Sequence, residues 1–459
     1  MSIHPTQLER WDRDHFFHPS THLGQFARGE LAQRVVTGGK GVYLHDSNGN
    51  RFLDAFAGLY CVNAGYGRPE IVRAIAEQAE ALAYYHAYMG HGTEVSIELA
   101  KMIIERAPDN MSRVYFGLSG SDANETNIKL VWYYNNILGR PRKKKIVSRW
   151  RGYHGSGLIS GSLTGLKLFH RKFDLPLAHV LHTEAPYYFR RDNLNLDEEE
   201  FTAHCASELR ALIEREDPAT IAAFVAEPVL GTGGLVPPPA GYWQAIQPIL
   251  QEYDILLIAD EVVTGFGRVG SMFGVDRYGM CPDIITVAKG LTSAYAPLSG
   301  SIVSRRVWDV LARGTDSHGP MGHGWTYSAH PLGAAAGVAN LRLVDELGLV
   351  ENARRVGGYL KAQLDNLLAE HPNVGEIRGE GLMLAVELVE DKASRRFFDP
   401  ARGIGEQVYA ALLKRGVISR AMPQGDIVGI APPLCLQPGE ADEIACRLAE
   451  SVEAVLPAG

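Results

Sequence analysis

The chain has no apolar run long enough to span a bilayer as a helix, no internal repeat and no low-complexity segment, which excludes helical membrane and solenoid architectures. Its five cysteines, at positions 61, 205, 281, 435 and 446, form no C-x-x-C pair, so neither a disulfide framework nor a zinc knuckle is indicated. No sign of charge dominates. The 45 Lys and Arg against 53 Asp and Glu leave -8, which gives no electrostatic basis for binding nucleic acid or an anionic membrane. The one basic cluster, Arg140 to Lys145, reads as a solvated loop between a helix and a strand. Met1 to Ser20 carries charges and histidines where a signal peptide needs an apolar core, and a cytoplasmic location is expected. A metal is not expected either: His318 with His323, and His86 with His91, lack the helical ligand spacing of H-E-x-x-H. No G-x-S-x-G nucleophile elbow is present.

What is there is ample core material: 46% of 459 residues are hydrophobic, too many for one core, so two or three domains are expected. Asn48-Gly49 supplies the turn of a hairpin over residues 41–54, which predicts an N-terminal lobe that begins with strands. From about residue 70 helices alternate with short apolar strands. The strands fall at 114–116, 145–148, 222–226, 255–259, 284–288 and 300–304, and their alternation with helices predicts an α/β fold with a mainly parallel, doubly wound sheet. A long helical stretch over 330–368, two strands around a glycine turn at 374–388, and a final helix, strand and helix predict a smaller α+β domain. The boundaries are 1–69 for an N-terminal segment, 70–330 for the large domain and 331–459 for the C-terminal part.

Two of these strands end on ionisable groups. Lys289 follows Ile284–Ala288 and Asp260 follows Ile255–Ala259, so both reach the carboxyl edge of the sheet, where open α/β sheets bind ligands. An ammonium there loses hydration and is easily deprotonated, as Schiff-base chemistry requires, while an aspartate can hold a proton on a heterocyclic nitrogen. The pair suggests a pyridoxal phosphate (PLP) site; taken alone it is equally a structural ion pair. Ser119, Gly120 and Ser121 stand in a loop whose Asp122 and Glu125 are spaced like a capping box, and its amides and hydroxyls suit a phosphate. That loop lacks the lysine of a P-loop and does not match G-x-G-x-x-G, which disfavours a nicotinamide dehydrogenase. Tyr153 and His154 lie in a glycine-flanked loop, where Tyr153 can stack on an aromatic cofactor or simply pack. Glu227 pairs with an arginine, shapes a pocket or closes a salt bridge. Val262, two residues beyond Asp260, faces the ligand if Asp260 does; otherwise it is core.

Together, Leu59–Arg68, Ser119–Asn124, Gly152–Gly155, Ala226–Val229, Ala259–Val262, Gly265–Arg268, Ala288–Leu291 and Thr326–Pro331 resemble the class III aminotransferases of PLP fold type I, and among them the amine:pyruvate or ω-transaminase group. The resemblance spans nearly the whole chain. It implies a large PLP domain and a small domain built from both termini. It implies that Lys289 carries PLP covalently and shuttles the proton, that Asp260 keeps the ring nitrogen protonated, that Gly120 and Ser121 cradle the phosphate, and that Tyr153 and Val262 sandwich the ring. Thr326 from a partner subunit would complete the phosphate cup, making the active unit a homodimer or a dimer of dimers. The implied reaction is ping-pong: a primary amine leaves its nitrogen as pyridoxamine phosphate, and pyruvate takes it up as alanine. Arg420 resembles the arginine that clamps the acceptor carboxylate, and Tyr60, Tyr88, Tyr153, Thr232 and Trp325 would wall the substrate pocket. The aromatic lining favours an uncharged or apolar amine. Taurine, β-alanine or putrescine transaminases are alternatives, as is a PLP decarboxylase or aminomutase of the same fold.

Overall fold

The computed structural model describes residues 4–31 and 33–458. Two helices, Pro5–His15 and Leu23–Ala27, precede the first strand, so the expected strand-first lobe is corrected. Leu8, Trp11 and His15 recur three and four apart, a helical spacing obscured by the charges between them. Strands β1 (Val36–Lys40), β2 (Tyr43–Asp46) and β3 (Arg51–Asp54) then form an antiparallel ladder. Its tight turn uses Gly49 at φ +80°, where a side chain would be strained.

The central sheet contains β4 (Met111–Gly117), β5 (Lys145–Arg149), β6 (Val180–Thr183), β7 (Ile221–Ala226), β8 (Leu256–Asp260), β9 (Ile284–Val287) and β10 (Ser299–Ser304), in the order β4-β10-β9-β8-β7-β5-β6. Only β10 runs against the rest. β7 is buried along its whole length. Ile221, Phe224 and Ala226 join one core cluster and Ala222, Ala223 and Val225 another, which is why the strand reads as a continuous apolar run. The carboxyl ends of β4, β5, β7, β8 and β9 therefore share one edge.

The helical stretch expected over 330–368 is two helices, Pro331–Glu346 and Leu349–Leu368, with the break at Gly348, held at φ +58°. Beyond them β11 (Val374–Glu380), β12 (Met383–Leu388), β13 (Val417–Ile418), β14 (Arg420–Ala421) and β15 (Ile427–Ile430) build the last sheets. β13 pairs in parallel with β3, so residues from both ends of the chain share a sheet, whereas β14 pairs with β15 in the sheet β11-β12-β15-β14. The chain thus changes sheets at Ser419 and delivers Arg420 at the crossing. The Arg140–Lys145 loop is tied down rather than merely solvated: Arg140 meets Asp254 at 2.5 Å, Lys145 meets Glu216 at 2.9 Å, and Arg142 pairs with Asp217. All five cysteines are free. Among the described residues no helix is long and apolar enough to cross a membrane, and no cluster of potential metal ligands forms.

Candidate active site

A cavity of about 380 Å³ opens at the carboxyl edge of the sheet. Ser119, Gly120, Ser121, Tyr153, His154, Glu227, Asp260, Val262 and Lys289 line it, with Cys61 of the Leu59–Arg68 stretch and Pro297 from the loop before β10. The turn after β9 sets the amine: Lys289 takes φ +43°, a region costly for a residue with a Cβ, and starts a short 3-10 turn to Leu291. Asn340 holds that turn by donating to the carbonyls of Gly290 at 2.8 Å and Leu291 at 3.0 Å. A Cβ on Gly290 would lie 2.4 Å from the Asn63 amide nitrogen, so the backbone approaches as only glycine permits. Burial lowers the Lys289 pKa; charges on Cys61, Asp260 and Glu227 oppose this.

Asp260 is held from three sides. Its Oδ2 accepts from Asn124 Nδ2 at 2.9 Å and from His154 Nδ1 at 2.8 Å, and its Oδ1 accepts from the Val262 amide at 3.1 Å. Asn124 is fixed in turn by Thr286 Oγ1 at 2.9 Å. Neither asparagine nor threonine was picked out from the sequence, although Asn124 stands within the Ser119–Asn124 match. Glu227 neighbours this pair and accepts from the Tyr153 amide at 3.1 Å and the Gly231 amide at 2.7 Å; burial raises its pKa. It makes no side-chain ion pair with an arginine among the described residues; Arg149 donates to its backbone carbonyl instead.

The helix Gly120–Ile137 opens on the cavity. Its capping box is Ser119 with Asp122, at 3.2 and 2.9 Å, not Asp122 with Glu125. The helix begins at Gly120, which puts Asp122 at its third position, and Glu125 instead receives the amides of Ile159 and Ser160. The Gly265–Gly270 stretch does spell G-x-G-x-x-G, but no helix opens on it, and its buried Arg268 is spent on Asn63 and on the carbonyls of Leu382 and Pro432. The pattern there is not a dinucleotide loop.

The pocket-wall candidates separate into two groups. Tyr60 is buried with its ring centroid 5.5 Å from Lys289 Nζ, and Arg420 is close enough to act electrostatically on both. Thr232 is also buried, and none of Tyr60, Thr232 and Arg420 lines the cavity itself. Tyr88, Trp325 and Thr326 lie together outside the cavity of their own chain: Tyr88 packs on Gly324, Trp325 donates to Thr126 Oγ1 at 3.0 Å, and Thr326 is exposed.

A planar aldehyde with a phosphate arm and a basic ring nitrogen fits this donor set: a buried amine, a helix end with a serine cap, and a three-times-held carboxylate within one cavity. Fold and cavity together define a PLP enzyme of fold type I. The model of the family "Aminotransferase class-III" matches residues 26–452, and the chain belongs to that family. It is 56% identical to a diaminobutyrate–2-oxoglutarate transaminase of Halomonas elongata over 100% of this chain and 98% of the relative. It is 42% identical to gamma aminobutyrate transaminase 3 of Solanum lycopersicum over 92% and 81%. Among solved structures, the ω-transaminase of Pseudomonas jessenii in complex with PMP superposes with a TM-score of 0.95 at 40% identity, covering 98% of this chain and 100% of the other.

Proposed function

We propose that this aminotransferase moves the amino group of an uncharged primary amine to pyruvate, forming alanine, as a homodimer. The observation that carries the acceptor is the Arg420 guanidinium, which acts electrostatically on Lys289. Among the described residues Arg420 makes no ion pair, whereas Arg268 and Arg151 are spent on backbone carbonyls and Asn63. One guanidinium suits one carboxylate, bound bidentately. A dicarboxylate acceptor would bring a second charge and call for a second guanidinium.

When bound, PLP supplies an electron sink through which an amino group leaves one substrate and joins another. Lys289 would hold it covalently until the substrate amine displaces it, and the freed, buried and readily deprotonated Nζ would then take the proton from the amine-bearing carbon and return it. Asp260, locked by Asn124 and His154, would keep a proton on the ring nitrogen. The amides of Gly120 and Ser121 would bind the phosphate at the helix end, and Tyr153 and Val262, which line the same cavity, would flank the ring. Glu227 keeps the Tyr153 loop in place through its amide.

A second reading, diaminobutyrate with 2-oxoglutarate, is favoured by the Halomonas relative at 56% identity. Holoenzyme given a benzylic amine or 2,4-diaminobutyrate, each with pyruvate or 2-oxoglutarate, separates them. Alanine from the benzylic amine and pyruvate is expected. Glutamate from diaminobutyrate, without alanine from any pairing, would replace the first reading by the second.

A further inference from the structure

Asp54, the last residue of β3, is completely buried and makes no ion pair among the described residues. Both of its oxygens accept hydrogen bonds. Oδ1 accepts from the Phe56 amide at 2.9 Å, and Oδ2 accepts from the Gly58 amide at 2.7 Å and from the Tyr66 hydroxyl at 2.5 Å. The turn so gripped is unusual: Ala57, Gly58 and Tyr60 take φ of +47°, +70° and +62°. Two of these carry a Cβ, which the left-handed region disfavours, so the turn needs support from outside itself. A carboxylate accepting from the Phe56 and Gly58 amides of the turn provides it.

The turn delivers the Tyr60 ring to within 5.5 Å of Lys289 Nζ and the Cys61 side chain to the cavity wall. Tyr66 is itself anchored, its amide and carbonyl bonded to Gly41 at 2.8 and 3.0 Å. Ala55, between the carboxylate and the turn, donates to the Ile418 carbonyl at 2.7 Å and accepts from the Ala431 amide at 2.7 Å, which ties the turn to the crossing that presents Arg420. A carboxylate kept for packing alone would have no reason to spend itself on a strained turn beside the reactive amine.

We propose that Asp54, oriented by Tyr66, is a positioning residue that fixes the Tyr60 ring beside Lys289 and thereby sets the bulk of the amine accepted. This builds on the assignment of Lys289 as the reactive amine. The test compares kcat/KM for a bulky α-propyl benzylic amine and for isopropylamine in wild-type, Tyr66→Phe and Asp54→Asn holoenzymes, using whichever keto acid the wild type prefers. Loosening the Tyr60 ring beside Lys289 should raise the bulky-to-small ratio about tenfold in Tyr66→Phe, the scale of a small change in pocket size. The cofactor absorbance and the keto-acid KM should stay unchanged. A folded, cofactor-loaded Tyr66→Phe enzyme with an unchanged ratio overturns the proposal, whether or not Asp54→Asn folds. Turnover surviving in Lys289→Ala would instead overturn the assignment beneath it.

Discussion

Arg420 illustrates how much one side chain depends on where the backbone leaves it. Its guanidinium lies 5.9 Å from the Phe56 ring centroid and makes no ion pair among the described residues, so it is poised rather than committed. A cation in that state can bind a carboxylate in one half-reaction and yield to an apolar group in the other. Arg420→Ala is therefore expected to raise the KM for pyruvate by at least about tenfold, since removing one partner of a buried charge pair costs about 2 kcal/mol or more. The KM for an apolar amine should change far less. Steady-state kinetics with each substrate varied in turn checks this, and equal effects on both would remove Arg420 from the acceptor site. Lys289 shows the complementary case. Its left-handed backbone is strained on the order of 1–3 kcal/mol, held by Asn340 and by the close pass of Asn63 at Gly290.

At the scale of elements, the segment after β8 is set by Glu261, which is fully buried and receives the amides of Gly274 at 2.9 Å and Val275 at 2.6 Å at the start of helix Gly274–Tyr278. Burial pushes its pKa up to about 7, against a value near 4.5 when unfolded. The folded state then holds more protons between these values, so this stabilising contribution is complete below about pH 4.5 and is lost as pH rises through 7. Glu261→Gln removes the titration. The stability gap between wild type and variant should shrink by up to about 3 kcal/mol between pH 5 and pH 8, measurable by denaturant unfolding across that range. A gap independent of pH would show that Glu261 does not titrate there. The same region shows what a sequence can disclose. β7, β8 and β9 are legible because burial on both faces writes an unbroken apolar run, and Glu227, Asp260 and Lys289 are legible because each follows such a run. β6 is a short edge strand containing His182, and β13 and β14 are two residues each, made by their partners rather than by their own pattern. Asn340 supports a turn 50 residues before it, a contact with no local signature.

For the whole molecule, the question is why three pocket-wall and phosphate candidates gather away from the cavity of their own chain. The segment that carries Trp325 and Thr326, against which Tyr88 packs at Gly324, is firmly held: the Thr326 carbonyl accepts from Tyr84 Oη at 2.5 Å, and Trp325 is bonded to Thr126 at 3.0 Å. Nearby, Met89 is 96% exposed and Tyr85 43%, an apolar surface that a lone subunit would leave in water. An exposed threonine on a rigid support beside an apolar surface suits a contact with a second copy, which supports the homodimer with a shared phosphate site. The arrangement makes a complementation experiment decisive. In Lys289→Ala the chain loses its own amine but still presents Thr326; in Thr326→Asp it keeps the amine but presents a charge that repels phosphate. Each variant alone should be nearly inactive. In a mixed dimer one site combines both defects, while the other has an intact Lys289 and an intact Thr326 from the opposite chain. Random co-assembly from equal amounts should therefore restore about a quarter of wild-type turnover, because half the dimers are mixed and each has one working site of two. Activity that stays at the sum of the separate variants, with mixed dimers demonstrated by differential tags, would mean that each chain completes its own phosphate site.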